Sequence, residues 1–402
     1  MKPTLFGYGL TTRAIAKKEG GGCIFFDDNT QTPYTDEEGN SIYPSSAFSP
    51  KEHPLTVTTP SLPPSHPLIQ QAPQTLSEYD YILKEQNHTP FTIWISGTNG
   101  KTTTTQMITH LLQHKGAISG GNIGIPLAQL DPHAPIWVLE TSSFTLHHTH
   151  HASPNLYILL PITPDHLDWH GSKEAYEADK LKPLLSMKEG ELALVPKGLK
   201  LPQTSAYVVE YDSPQSLCDY FNLEDKALHY SGAFLEDALL ALCVTATLFD
   251  ERDYALLNRF KRDAHRQEPL LDSQQRLWVN DSKATNLDAT LQALKSYNTQ
   301  PLHLIVGGED KGVELTPLFE ALQHQPVTLY AIGANKKKLM ALAKQYHIKA
   351  YLCETLAKAV ETIHPQHTSK SVALLSPAGA SFDQFSSYKE RGECFKRLVQ
   401  AL

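Results

Sequence analysis

The stretch Ile93-Trp94-Ile95-Ser96-Gly97-Thr98-Asn99-Gly100-Lys101-Thr102-Thr103 decides the fold. It reads as an apolar strand that ends in a glycine turn and opens a helix. Such a turn is an anion cradle. Glycines let backbone N–H groups approach a polyphosphate, and the helix N-terminus adds partial positive charge. Lys101 adds a full charge, and the Thr102 hydroxyl is a ligand type for Mg2+. The general Walker A form wants Gly where this chain has Ile95, so the loop is the shorter Gly97-Thr98-Asn99-Gly100-Lys101-Thr102. An ordinary strand-to-helix turn is the competing reading. The apolar run before the loop and the threonine run after it fit the phosphate-binding context.

Working outward, apolar strands alternate with helical patterns, which implies a mainly parallel sheet covered by helices. Residues 136–139 form a buried-strand candidate that delivers Glu140 at its carboxyl end, where ligands gather in open α/β sheets. Glu140 thus reaches a metal held on the phosphate loop, or else caps a following turn. Residues 156–160 are another strand, running into Thr163-Pro164-Asp165-His166-Leu167-Asp168-Trp169-His170. His166, Asp168 and His170 alternate as zinc ligands could, but no Cys supports that metal. His147, His148, His150 and His151 read as a solvated loop. A helix follows with Ser172 as N-cap, Ala175, Ala178 and Leu181 on one face, and Pro183 as its stop. Lys180 near its end reads, at its plainest, as a cation complementing the helix dipole. Residues 238–249 are apolar nearly all round and predict a core helix.

Upstream, residues 4–9 and Leu10-Thr11-Thr12 predict a strand, a glycine turn and a helix beginning near Thr11, with a second strand ending at residues 25–28. Gly7-x-Gly9-x-x-Thr12 is an imperfect dinucleotide fingerprint, Thr12 standing where the third Gly belongs. It serves either a pyrophosphate or an ordinary βα turn. A Pro-rich region from Pro33 to Pro67 predicts loops around short strands, and a boundary falls near His88. Downstream, residues 258–269 carry Arg259, Lys261, Arg262, His265 and Arg266 and read as the connection into a last domain. Five strand-then-helix units follow, starting at Leu277, Leu302, Val327, Lys349 and Val372. Their polar turns predict a pocket for a small acidic molecule.

With 402 residues the chain divides into roughly two to four domains. Its composition, 41% hydrophobic and 19% charged, is that of a soluble globular protein. The formal net charge of −8 offers no global basic field and excludes nucleic acid as a partner on electrostatic grounds. The five cysteines, Cys23, Cys218, Cys243, Cys353 and Cys394, are odd in number and lack a Cys-x-x-Cys pair, which predicts free thiols in a reducing compartment. The chain lacks a signal-peptide pattern and an 18-residue apolar run, so the expected location is cytoplasmic, without membrane insertion.

Read together, these segments resemble the Mur ligase family over nearly the whole chain, and most closely its glutamate-adding branch. The loop GTNGKTTT is shared across the family, including folylpolyglutamate synthetases. More selective are Gly121-Asn122-Ile123-Gly124, Glu140-Thr141-Ser142-Ser143-Phe144, Asp165-His166-Leu167-Asp168, residues 280–286 (NDSKATN), Gly307-Gly308 with Lys311, and residues 375–385 (LSPAGASFDQF). The last three point to the glutamate-adding member. The Asp-Asn-Pro-Arg motif of the diaminopimelate- or lysine-adding member does not occur.

The resemblance implies an α/β chain of three domains. These are a Rossmann-like N-terminal domain for the UDP-substrate (residues 1–88), a central P-loop mononucleotide-binding parallel sheet for ATP (89–262), and a Rossmann-like C-terminal domain for the amino acid (263–402). It implies that ATP phosphorylates the alanyl carboxylate of UDP-N-acetylmuramoyl-L-alanine, and that the D-glutamate amine attacks the acyl phosphate. Lys101, Glu140, His166 and Lys180 are the implied catalytic residues. Thr102 and Glu140 would hold one Mg2+, and His166 and Lys180 a second, with Lys180 carbamylated so that an ammonium becomes an anionic ligand. ATP falls to Gly97, Thr98, Asn99, Gly100, Lys101, Thr102, Thr103, His265, Arg266 and Asp281. Leu10, Thr11 and Thr12 would contact the uridine diphosphate, and Asn122 with Ser143 the sugar-peptide end. D-glutamate falls to Lys283, Thr285, Lys311, Ser381 and Tyr388.

The chain departs from the family pattern at Pro60-Ser61 in place of Pro-Gly, and at Asn29 in place of an Arg near the uracil. It departs again at Leu235-Glu236-Asp237 in place of Asn-x-x-Asn, and at Tyr388 in place of Phe. A monomer whose domains close on substrate is expected, since the ATP loop and the Lys311 and Ser381 loops fall in different domains. The rival readings are another amide ligase of folylpolyglutamate synthetase type and a nucleotide-binding protein without ligase chemistry. A pyridine-nucleotide dehydrogenase built on Gly7-x-Gly9 is the third.

Overall fold

The computed structural model describes residues 2–84, 90–297, 299–309 and 314–402. The boundary expected near His88 and the site residue Lys311 lie outside them. Eighteen strands among the described residues form three six-stranded sheets. The first holds β1 (Thr4–Phe6), β2 (Ile24–Asp27), β3 (Tyr34–Thr35), β4 (Ser41–Pro44), β5 (Thr56–Thr58) and β6 (Thr75–Leu76), in the order β3-β4-β2-β1-β5-β6. The second holds β7 (Phe91–Ser96), β8 (Ala117–Gly121), β9 (Ile136–Glu140), β10 (Leu156–Leu159), β11 (Leu192–Pro196) and β12 (Tyr207–Tyr211), in the order β12-β11-β10-β7-β9-β8. The third holds β13 (Glu268–Leu271), β14 (Leu277–Asn280), β15 (Leu302–Gly307), β16 (Val327–Ile332), β17 (Lys349–Glu354) and β18 (Val372–Leu375), in the order β13-β14-β18-β15-β16-β17. Pairing is parallel except at β3–β4 and β13–β14.

Strand orders position the turns. From β7 the chain crosses to β8, returns to β9 and passes to β10 on the opposite side, so the carboxyl end of β7 is a switch point where a crevice opens. Ile95 pairs with Glu140 and Ser96 with Leu159, which sets the phosphate loop between the ends of β9 and β10. The same logic puts the Gly7–Gly9 turn between β2 and β5.

Strand alternation explains the cores. In β7, Ile93 and Ile95 face Met107, Ile108 and Leu111 of the helix Lys101–Leu112 and the helix Ala233–Phe249. Trp94 faces the other way, into a core shared with Leu5, Phe25 and Val57 of the first sheet. That shared core is why residues 1–230 and 234–260 form one compact unit, while residues 231–233 and 261–402 form the other. In the second unit Val279, Leu304 and Val306 line one face of the third sheet, and Trp278 and Ile305 the other.

Two expectations need correction at this level. The basic stretch of residues 258–269 ends in β13, an antiparallel edge strand, rather than being connection throughout. Pro269 sits in it without harm because an edge strand leaves N–H groups unpaired on one side. In the helix Lys173–Leu181, Ala178 is exposed, and the buried residues are Tyr176, Asp179, Lys180 and Leu181. Polar partners, rather than apolar spacing, decide which face docks. Among the described residues no helix is long and apolar enough to cross a membrane.

Candidate active site

The loop after β7 is held against its neighbours so closely that side chains are excluded. Gly97 has φ +136°, and a Cβ there would lie 2.5 Å from Leu160 Cβ. Gly100 has φ +85°, and its Cβ would lie 2.7 Å from Asp237 Oδ1. Only glycine meets both demands. Thr98 anchors the loop, its hydroxyl donating to the Thr163 carbonyl at 2.9 Å and lying 3.0 Å from the Tyr176 hydroxyl. The helix Lys101–Leu112 begins at Gly100 without a side-chain cap, leaving first-turn N–H groups for a ligand. Lys101 curls back, Nζ donating to the carbonyls of Gly97 (2.9 Å) and Thr98 (2.8 Å). Asn99 and Thr102 are half-buried, and Thr103 is buried.

Glu140, buried at the end of β9, accepts from the Thr102 hydroxyl at 2.6 Å through Oε2 and from Asn122 Nδ2 at 2.7 Å through Oε1. Each oxygen keeps a lone pair, so the carboxylate and the hydroxyl form a pair of hard oxygen donors suited to Mg2+. Asp237, which replaces an expected Asn, accepts from Thr104 Oγ1 at 2.9 Å and stands against Gly100.

Ser172 caps the helix Lys173–Leu181, its hydroxyl accepting from Ala175 N at 3.1 Å. Lys180 is 1% exposed, and its Nζ points at the loop rather than at the helix end. It donates to the Gly97 carbonyl at 2.8 Å and to Ser96 Oγ at 3.4 Å, and lies 4.7 Å above the Tyr176 ring. Burial, and then the nearby Lys101 charge, drive its pKa well below the usual lysine value against the pull of Asp165, Asp179 and Glu140. As a donor to two oxygens, the plain amine does not fit the role of metal ligand. His166, in the left-handed region at φ +53°, has a side chain 41% exposed, 3.6 Å from Asp165 Oδ2. Among the described residues no group of three or more His, Cys, Asp or Glu side chains is arranged to hold a metal.

The histidine tract is not the solvated loop its composition suggests. His147 ends a short helix, Ser143–His147, and its Nδ1 lies 3.0 Å from both oxygens of Asp179. His148 is buried, its pKa pushed down to about 4 by burial and then by His147. Only His150 and His151 turn outward, and Asp80 accepts from the backbone N–H groups of His150, His151 and Ala152 at 2.7, 2.8 and 2.7 Å. His170 is fully buried between Asp179 (Nδ1 to Oδ2, 2.8 Å) and Ser143 (Nε2 to Oγ, 3.0 Å). Asp179, Tyr176 and Asp80 were not singled out from sequence. Their spacing carries no motif, and only the docking of their helices reveals them.

In the first sheet, a cavity of about 350 Å³ opens at the switch point, lined by Gly7, Tyr8, Gly9, Asp27, Asp28 and Thr59 among others. Gly7 has φ +80°, and a Cβ would meet Thr59 Cγ2 at 2.6 Å. Asn29 and Ser61, two of the departures from the family pattern, also line it. The helix Leu10–Lys18 begins at Leu10, one residue before the expected start. Leu10 is 61% exposed, Thr11 half-buried and Thr12 fully buried, and none of the three lines the cavity. Thr12 instead braces the turn, its hydroxyl donating to the Gly7 carbonyl at 2.5 Å and accepting from Gly9 N at 3.2 Å.

In the second unit, Asp281 follows β14, buried, accepting from Ser376 Oγ at 2.8 Å and Gln267 N at 3.2 Å. Burial pushes its carboxyl up to about 7 despite these donors. His265, buried at φ +67°, sits 2.9 Å from Asn280 Nδ2, and Arg266 is half-buried. Lys283 Nζ lies 4.1 Å above the Tyr388 ring, Thr285 is half-buried and Ser381 buried. Buried Arg391, missed from sequence, ties two turns together: it donates to the carbonyls of Ser282 (2.9 Å) and Gly379 (3.1 Å) and to Ser282 Oγ (3.0 Å). Gly308 lets the turn after β15 approach closely, since a Cβ there would lie 2.2 Å from the Ala380 carbonyl oxygen.

Residues 95–213 match the family model of the Mur ligase middle domain. A UDP-N-acetylmuramoylalanine–D-glutamate ligase of Campylobacter jejuni subsp. jejuni serotype O:23/36 (strain 81-176) is 47% identical over 405 residues, covering 100% of both chains. The protein of the same name from Helicobacter pylori (strain HPAG1) is 46% identical over 419 residues, covering 99% of each. Among solved structures, MurF from Acinetobacter baumannii aligns with a TM-score of 0.62 at 14% identity, covering 98% of this chain and 90% of that one. At that identity the likeness is one of fold alone.

Proposed function

The chain belongs to the Mur ligase family, and from that premise we propose that it is the ATP-dependent ligase that joins D-glutamate to UDP-N-acetylmuramoyl-L-alanine in peptidoglycan precursor synthesis. End-to-end likeness to relatives bearing that name favours it over a folylpolyglutamate synthetase-like activity. The phosphate loop with Glu140 at its side favours a ligase over a passive nucleotide binder.

The chemistry is a meeting of anions. ATP, a carboxylate and an amino diacid repel one another, so catalysis consists largely of placing positive charge where negative charge develops. Residues 97–103 wrap the ATP phosphates, with backbone N–H groups at the start of the helix and Lys101 Nζ facing the transferred phosphoryl group. Thr102 and Glu140 would hold the first Mg2+, which would supply Lewis acidity and charge neutralisation. His265, Arg266 and Asp281 complete ATP binding. The cavity beside the Gly7–Gly9 turn takes the uridine diphosphate, with Leu10, Thr11 and Thr12 supporting it, and Asn122 and Ser143 hold the sugar-peptide end. Lys283, Thr285, Ser381 and Tyr388 hold D-glutamate, and Lys311 is assigned to the same site. The alanyl carboxylate takes the γ-phosphoryl group, and the glutamate amine then displaces phosphate from the acyl phosphate, leaving an amide, ADP and phosphate. The active form is a monomer.

Lys180, once carbamylated, would join His166 in holding a second Mg2+. Its depressed basicity supplies the neutral amine that attacks CO2, forming an N–C bond and releasing a proton. Intact-protein mass under bicarbonate should rise by one CO2, and Lys180→Ala should abolish the rise. An unmodified, fully active wild-type protein in bicarbonate-free buffer contradicts this assignment.

One assay tests the main reading. Phosphate release from Mg–ATP in the presence of UDP-N-acetylmuramoyl-L-alanine should require D-glutamate and be unmoved by L-glutamate. Release indifferent to the acceptor overturns it.

A further inference from the structure

The three stretches that point to the glutamate-adding member meet at one buried side chain. Arg391, in the helix Tyr388–Gln400, is 1% exposed, and its guanidinium lies among the turns that follow β14, β15 and β18. Donor directions are fixed there by chemistry, since a guanidinium only donates and a carbonyl only accepts. Nε donates to Ser282 Oγ at 3.0 Å, and Nη2 to the carbonyls of Ser282 (2.9 Å) and Gly379 (3.1 Å). The Ser282 hydroxyl passes its own hydrogen to the Tyr388 carbonyl at 2.8 Å, so toward Nε it can only accept. Nη1 lies 3.5 Å from the Ala380 carbonyl oxygen, and a Cβ on Gly308 would come within 3.3 Å of that nitrogen. Ala380 in turn exchanges backbone hydrogen bonds of 2.8 and 3.0 Å with Glu309. These contacts stop just short of the side chains assigned to the amino acid. Ser282 precedes Lys283, and Ala380 precedes Ser381. One helical turn before Arg391, the Tyr388 ring lies 4.1 Å from Lys283 Nζ.

We propose that Arg391 is a positioning residue whose fork locks the Lys283 turn and the Ser381 turn at one separation, and that this fixed span selects a five-carbon amino diacid over the four-carbon one. In a rigid site a diacid one methylene shorter reaches one turn and falls short of the other. Turns free to slide would meet both. A lysine in place of Arg391 keeps the charge but has a single nitrogen, and a point donor does not hold two turns in the plane of a fork. That the diacid is D-glutamate rests on the proposed function, whereas the clamp belongs to the free protein.

Arg391→Lys separates charge from fork. Its KM for D-glutamate should rise about tenfold with kcat held within about threefold, because the turns shift while the reacting groups stay in place. The preference for D-glutamate over D-aspartate in kcat/KM, about 10²-fold in the wild type for one methylene, should fall about tenfold. Equal losses for the two diacids, a loss in kcat alone, wild-type discrimination in the folded variant, or equal use of both diacids by the wild type overturns the proposal. Ser282→Ala deletes the Nε acceptor and leaves the other guanidinium bonds, so it carries the same test if the lysine variant does not fold. Its preference should narrow about threefold, and an unchanged preference counts against the clamp. A third measurement needs no substrate. The Arg391 Nε–H resonance of the free wild type, identified by its shift in Ser282→Ala, should exchange with deuterium about a hundredfold more slowly than those of exposed arginines. Exchange at their rate overturns the clamp. Failure of the wild type to turn over with D-glutamate would sink the proposed function instead, and the Nε–H exchange would still decide whether Arg391 holds the turns.

Discussion

At the scale of single residues, the phosphate loop separates charge from shape. Lys101→Met removes a cation whose Nζ is held by two loop carbonyls, and leaves the glycines that define the turn. A fall in kcat of about 10²–10³-fold is expected with an unchanged far-ultraviolet spectrum, since a preorganised cation at a developing charge is worth that much. Near-wild-type amide synthesis would remove the basis of the proposed chemistry. Gly97→Ala asks the opposite question. The new methyl meets Leu160 Cβ at 2.5 Å in a backbone region that side chains rarely adopt. A loss of roughly 2–4 kcal/mol in urea unfolding is expected, with ATP affinity falling alongside. A variant as stable as the parent would mean that β10 yields to the loop.

At the scale of elements, what sequence made legible was local and what it hid was relational. The strand-turn-helix of residues 93–103 was readable because glycine, lysine and threonine each act on the turn they occupy. Glu140 was readable because a buried strand has a definite carboxyl end. The helix after Ser172 shows the limit. Its cap and its proline stop were plain, but its buried face was set by Asp179 meeting two histidines and Lys180 meeting the Gly97 carbonyl, contacts that span 9 to 83 residues. Apolar spacing pointed instead to Ala178, which is exposed. The histidine tract misled for the same reason, because Asp80, about 70 residues away, fixes its backbone. Leu10, Thr11 and Thr12 illustrate it again: the turn was evident, but which side chains face the cavity depends on β2 and β5. Since this helix carries Lys180, its start should matter to the site. Ser172→Ala removes the bond to Ala175 N and should cost about 1 kcal/mol, measured by urea midpoint. Bicarbonate-dependent mass gain at Lys180 should weaken with it, and a variant that loses neither would show that packing alone sets the helix.

At the scale of the whole molecule, each compact unit buries one carboxyl whose pKa is pushed far up and one imidazole whose pKa is pushed down to about 4. In the unit of residues 1–230 and 234–260 these are Glu78, pushed up to about 8 by burial, and His148, pushed down to about 4. In the other they are Asp281, up to about 7, and His367, down to about 4 chiefly by burial. The signs oppose. A raised carboxyl contributes stability that is full below its unfolded pKa and is lost as pH rises through the folded one. A depressed imidazole contributes stability that is present above its unfolded pKa and is lost as pH falls toward the folded one. Between about pH 4.5 and 6.5 the four largely cancel, and the imidazoles of His53, His150, His265 and His303, also lowered by burial, tip the sum toward acid lability. Single variants uncover the separate slopes. Glu78→Gln keeps an acceptor for the Ala128 N–H, which Glu78 receives at 3.1 Å. The stability of the wild type relative to this variant should grow by about 1.4 kcal/mol for each pH unit lowered between about 8 and 4.5. For His367→Gln the wild type should instead lose about 1.4 kcal/mol per unit lowered between about 6.5 and 4. Urea titrations across this range read both slopes, and because the two residues belong to different units, each change should fall on a different unfolding transition wherever the transitions separate. Parallel profiles for the wild type and both variants would mean that neither group titrates differently in the folded chain, and that burial at these two positions is relieved by water.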